Sequence, residues 1–137
     1  MILWRIAAET RRYAATDLGG AGAAASPGRW NDDGQPAVYC APTIALAVLE
    51  TAAHIDDAGL PLNRFLVQID VPDRVWSART VLEAAALPVG WDAIPAGQAS
   101  VGTGAGWLRD RTAVCLQVPS VIVPVRAFEY SRLFRGT

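Results

Sequence analysis

The chain has 137 residues, within the usual range of about 100–200 for one domain, so a single domain over 1–137 is expected. Its 52% hydrophobic against 18% charged content excludes global disorder, because that much apolar side chain permits a sizeable core. Its 12 basic residues are all arginine, and against 13 carboxylates they leave a net charge of −1, which excludes a broad electrostatic attraction to nucleic acid or anionic lipid.

No stretch approaches the roughly 20 apolar residues of a bilayer span. Met1-Ile2-Leu3-Trp4-Arg5 lacks the charged-then-apolar order of a secretory signal, so a cytoplasmic location is expected.

Taken in chain order, Ile2 to Ala7 and Pro36 to Cys40 are short apolar β-type runs. The Gly/Ala/Ser/Pro stretch between them, Gly19 to Gly28, reads as a loop, either wrapped around a site or a plain connector. Ile44 to Ala58 contains no Gly or Pro and predicts a helix, with Thr43 as N-cap and Gly59 closing it. Its apolar residues lie on almost every side, which predicts burial between layers. Arg64 to Val71 alternates with period 2, a strand ended by Pro72-Asp73.

Leu87 to Trp91 reads as a turn, followed by a short helix or irregular segment to Ala99. Gly102 to Gly106 has the look of a phosphate-cradling loop, but neither a preceding strand nor a following lysine supports that. Thr112 to Val118 and Val121 to Arg126 predict strands broken at Pro119-Ser120, and the tail from Phe128 has no clear pattern. With no internal repeat, the order of elements gives a mixed α/β or α+β domain rather than repeated βαβ units.

Glu50 is the most informative position. On a helix its neighbours are Leu46, Ala47 and Ala53, and an unpaired buried charge costs several kcal/mol, so this carboxylate needs either a structural arginine partner or a function. Arg29, between Gly28 and Trp30, is either a bidentate clamp for phosphate or carboxylate, or a surface arginine beside a packed tryptophan. Arg5 sits in the first apolar run and should meet an anion, whether a ligand or Glu50. Tyr39 either stacks on a flat ring, hydrogen-bonds through its hydroxyl, or belongs to the core.

The Ser120 hydroxyl faces either a ligand or a turn. His54, the single histidine, reads as a passive helix residue, and a Ser-His-Asp triad does not fit. Asp32, Asp33, Asp56 and Asp57 lack metal-ligand spacing, so no metal is expected. Cys40 and Cys115 are too few for a disulfide framework or a zinc site and read as buried apolar residues.

Together these residues resemble the RES domain, the toxin half of RES–Xre toxin-antitoxin pairs. The resemblance runs through Trp4-Arg5-Ile6, Gly28-Arg29-Trp30-Asn31 with Gly34, Ala37-Val38-Tyr39 and Ala45 to Glu50. It continues through Leu87-Pro88-Gly90-Trp91, Gly104 to Leu108 and Val118-Pro119-Ser120. Near the C-terminus Glu129-Tyr130-Ser131-Arg132 departs from the family's Asn-Tyr and Asn-Pro segments.

The resemblance implies an α+β, ADP-ribosyltransferase-like split sheet with flanking helices and a reaction that consumes NAD+ as substrate by hydrolysis, phosphorolysis or ADP-ribose transfer. It implies Arg29, Glu50 and Ser120 as the signature residues. Glu50 would be the catalytic carboxylate, assisted by Arg29 and Tyr39. Arg5 and Arg29 would hold pyrophosphate or ribose, Tyr39 would pack on the nicotinamide side, and Ser120 would position the nucleotide. An Xre-type antitoxin would be the partner in a hetero-oligomer. The alternative is a catalytically silent RES-like binding domain.

Overall fold

The strand predicted at the start of the chain forms because a short apolar run in extended backbone can divide its side chains between two apolar layers. The computed structural model describes residues 1–53 and 63–123, together with the backbone of Arg132–Gly136. Its strands are β1 (Ile2–Ala8), β2 (Val38–Cys40), β3 (Arg64–Asp70), β4 (Thr80–Val81), β5 (Cys115–Pro119) and β6 (Arg132–Gly136). The helices are α1 (Ala21–Ala25), α2 (Ile44–Ala52), α3 (Asp73–Ser77) and α4 (Gln98–Asp110). This is a mixed α+β fold, as the order of elements predicts.

The described strands form an antiparallel β1–β3 pair and a second sheet in the order β2-β6-β5-β4, with only β4–β5 parallel. A single bridge joins the two: Trp4 and Ala41 exchange backbone hydrogen bonds of 2.8 Å in both directions. The strands therefore run β3-β1-β2-β6-β5-β4, with one weak joint between β1 and β2.

Alternation assigns the side chains to opposite faces. Trp4, Ile6, Tyr39, Leu116 and Val118 pack on one side with Trp30, Leu46 and Ala47. Leu3, Val38, Cys40 and Cys115 pack on the other with Val71. Ala7, Ala15 and Val67 extend that second side. Leu116 and Val118 are each 1% exposed, a burial worth about 1.5–3 kcal/mol apiece.

Several expectations need correction. The Gly19–Gly28 stretch is not loop throughout, since α1 forms inside it after the left-handed Gly20. Thr43 does cap α2, its hydroxyl accepting from the Leu46 N–H at 3.1 Å. The helix is not enclosed by two layers, however. Leu46 and Ala47 are buried while Ile44, Val48 and Leu49 stay more than 40% exposed, because a helix lying on a sheet buries one stripe whatever its composition. Val121, Ile122 and Val123 form a bend rather than the predicted strand, because the chain turns after Pro119-Ser120, and the rest of that prediction, with His54, Asp56, Asp57 and Gly59, lies outside the described residues.

The glycines at 102, 104 and 106 are not a phosphate loop but the middle of α4. A Cβ on Gly104 would collide with the Trp30 carbonyl, so that glycine allows the helix backbone to press against the chain at Trp30. The described part of the tail is β6, inserted between β2 and β5.

Candidate active site

Glu50 lies in the last turn of α2, on the helix whose buried stripe carries Leu46 and Ala47. Ser120 directly follows β5, whose five residues are all buried. The turn after Pro119 carries the hydroxyl to the carboxylate: Ser120 Oγ donates to Glu50 Oε1 at 2.8 Å. The same oxygen accepts the backbone N–H groups of Ile122 and Val123 at 3.1 and 3.2 Å. Ser120 is 1% exposed, and its proton and both acceptor directions are engaged. Of the two alternatives, the hydroxyl faces the turn, and it also donates to the acid.

Arg29 stands nearby. Burial lowers its pKa, and the negative charges of Glu50 and Asp92 push it back up, so the guanidinium remains a cation within the field of the Glu50 carboxylate. Its Nη1 donates to the carbonyls of Trp91 at 2.9 Å and Ala93 at 2.8 Å. Both Nη1 hydrogens are thus engaged, while Nε and Nη2 make no hydrogen bond among the described residues. That edge of the fork suits a bidentate anion. The turn it grips is also pinned by the Trp30–Trp91 stack, with ring centroids 6.1 Å apart and planes 26° apart.

Tyr39 belongs to the same face. Its hydroxyl donates to Asn31 Oδ1 and accepts the Trp30 N–H at 3.2 Å. Asn31 is fully buried. Its role was missed in the sequence, where nothing in a polar Trp-Asn-Asp-Asp stretch marks one carboxamide as internal.

Arg5 is not gathered with the others. On β1 it alternates with Leu3 and Ala7, so it projects to the face opposite Trp4 and Ile6, paired across the strand with Val67. There its Nη1 reaches the Asp17 carbonyl at 3.4 Å, and its charge is felt by Cys40. Arg29, Glu50, Ser120 and Tyr39 share one side of the strands, and Arg5 occupies the other. A separate open cleft of about 680 Å³, lined by Gly34, Gln35, Pro36, Trp107, Arg109 and Arg111 among others, contains none of the five.

Among the described residues no group of three or more His, Cys, Asp or Glu side chains could hold a metal ion, and no helix is long and apolar enough to cross a membrane. The cluster can therefore offer an oriented carboxylate, a guanidinium edge for an anion and an aromatic surround.

Comparison with known proteins gives this arrangement its context. The sequence profile of the RES domain matches residues 2–128. A protein named "Prs ADP-ribosylating toxin" from Sphingobium sp. (strain YBL2) is 52% identical over 121 residues, covering 88% of this chain and 75% of its own. "Toxin Res" of Pseudomonas putida (strain KT2440) is 40% identical over 126 residues, with 90% and 79% covered. "Toxin Res" of Yersinia enterocolitica is 37% identical over 124 residues, with 90% and 78% covered. With the profile spanning nearly its whole length and relatives of this similarity, the chain belongs to the RES domain family.

Proposed function

We propose that this protein is a toxin that cleaves the nicotinamide–ribose bond of NAD+. The observation that carries the reading is the Ser120–Glu50 hydrogen bond beside Arg29. In the reaction the C1′–N bond breaks, its electron pair neutralises the pyridinium nitrogen, and positive charge develops on the ribose. A fixed carboxylate attracts that charge more in the transition state than in the ground state. Glu50, aimed by Ser120, supplies it, and the unused edge of Arg29 takes a phosphate oxygen pair of the substrate. The weakly joined β1–β3 and β2–β6–β5–β4 sheets are compatible with an ADP-ribosyltransferase-like core. NAD+ use and an Xre-type antitoxin partner follow from the family resemblance, and both belong to the cytoplasm.

Water, phosphate or a protein nucleophile would each attack the same activated sugar and release one proton. A specific observation favours the protein acceptor as a second reading: the relative 52% identical to this chain carries the name "Prs ADP-ribosylating toxin".

Incubating the purified chain with NAD+, with and without phosphate or cell extract, tests both. Nicotinamide release by the wild type, lost in a folded Glu50→Gln variant, is the expected result. Added mass of an ADP-ribosyl group on an extract protein identifies transfer, and dependence on phosphate identifies phosphorolysis. Release that persists in Glu50→Gln overturns the assignment of the carboxylate. No release under any condition leaves the silent binding domain. Growth arrest on expression, relieved by a co-expressed Xre-type protein, is the expected outcome for the partner.

A further inference from the structure

We propose that Asn31 and Tyr39 are positioning residues, a buried clamp that fixes Arg29 through the backbone on either side of it. The proposal rests on the reading of Arg29 as the holder of the substrate's anionic part. Asn31 is 0% exposed. Its Nδ2 donates to the carbonyls of Ala23 at 2.8 Å and Gln35 at 2.9 Å. Its Oδ1 accepts the Tyr39 hydroxyl and the Gly28 N–H, the latter at 2.8 Å.

The Tyr39 oxygen in turn accepts the Trp30 N–H at 3.2 Å. The amides immediately before and after Arg29 therefore both end on this pair, while the Arg29 side chain is gripped separately by Trp91 and Ala93. The bonds made by the carboxamide to Ala23, Gln35 and Gly28 are 2.8–2.9 Å, and it has partners for both of its ends.

Gly28 completes the clamp. A Cβ there would stand 2.8 Å from both Cζ and Oη of Tyr39, so only glycine lets the phenol approach the turn this closely. The Tyr39 proton is committed to Asn31, and donation to a ligand would open the clamp. The hydroxyl thus acts through Arg29 rather than on the reacting atoms, whatever the face of the ring touches.

The test uses the full chain as wild type, Tyr39→Phe and Gly28→Ala. The first variant removes one oxygen, and the second displaces the ring while leaving both polar groups in the chain. Three quantities are read: KM and kcat for nicotinamide release, affinity for ADP-ribose by calorimetry, and hydrogen exchange at the Trp30 amide.

The expected result is a cooperative melt, faster Trp30 exchange, KM and ADP-ribose affinity each weakened about tenfold and kcat within about threefold, a loss of the order of one hydrogen bond. If Tyr39→Phe fails to fold, Gly28→Ala decides by the same readouts. A fall in kcat at unchanged KM overturns the proposal by placing the hydroxyl on the reacting atoms. Unchanged ADP-ribose affinity despite faster exchange overturns it too.

A wild type that binds ADP-ribose without releasing nicotinamide overturns the proposed reaction and leaves the clamp to be judged on affinity. A wild type that does not bind ADP-ribose overturns the role of Arg29 and the clamp with it.

Discussion

Ser120 reaches Glu50 across 70 positions of the chain and donates to it at 2.8 Å. The serine is itself fixed by two backbone N–H groups of the turn that follows it. A glutamate has three rotatable side-chain bonds, and a short hydrogen bond to a fixed partner restricts them. The Ser120 hydroxyl supplies such a partner for the carboxylate.

Ser120→Ala should therefore lower turnover more than binding. Hydrogen bonds to charged groups contribute about 1.5–3 kcal/mol, which corresponds to about 10- to 100-fold in kcat with KM changed little. The Ile122 and Val123 amides lose their acceptor as well, so the melting temperature should drop together with kcat. Steady-state kinetics beside a thermal melt check this; a kcat at the wild-type level would mean that Glu50 is held by something else.

Arg29→Lys is expected to behave differently. A lysine keeps the positive charge, but one ammonium cannot face the Trp91 and Ala93 carbonyls and still present a flat edge to an anion. KM should rise by about tenfold or more, the order expected from losing a bidentate contact. Amide exchange in the Pro88–Ala93 turn should quicken because its grip is lost. An unchanged KM would remove Arg29 from the substrate.

How much of this was readable from sequence depends on whether a feature is local. Thr43, the apolar α2 and the alternation of β3 are nearest-neighbour patterns, and they were legible. Glu50 stood out because an acid in an apolar helix is locally inconsistent. The sequence does not separate Arg5 from it, because alternation tells which residues share a face but not which face meets which helix. That is settled by Val67 across the strand and by the Ala41 bridge. α4 was hidden because three glycines lower helix propensity by about 1 kcal/mol each, and the compensating contact with Trp30 lies far away in the chain. Asn31 is invisible for a different reason: its partners Ala23, Gly28, Gln35 and Tyr39 all lie within eight positions, but they meet through an irregular turn that follows no helix or strand period.

Gly104→Ala tests that compensation directly. Alanine improves helix propensity, yet its Cβ would overlap the Trp30 carbonyl, carbon and Cα, all of them backbone atoms that cannot rotate away. Separation of α4 from the Trp30 turn is the only relief. A net destabilisation of about 1–3 kcal/mol is expected from such overpacking, measured by urea unfolding, with nicotinamide release falling because Trp30 adjoins Arg29. Stabilisation by the alanine would show that the helix does not press on this turn.

Cys40 gives the fold a pH dependence at the alkaline end. Burial pushes its thiol up from 9.0 to about 11, with Arg5 pulling it down and Cys115 adding to the rise. The folded state therefore holds this proton more tightly than the unfolded chain does. The associated stability is fully present below about pH 9, where both states are protonated, and is lost as pH climbs through 9 to 11. Two units correspond to about 2–3 kcal/mol, so the denaturant midpoint should fall across that window and fall less in Cys40→Ala. Oxidation offers no escape: Cys40 and Cys115 lie opposite Phe134 and Gly136 on either side of β6. Two strand spacings separate them by about 10 Å, beyond the reach of a disulfide. Both thiols should remain free under oxidant in the native state and react with a thiol reagent only on unfolding, whereas an intramolecular disulfide in the folded protein would contradict the strand order β2-β6-β5.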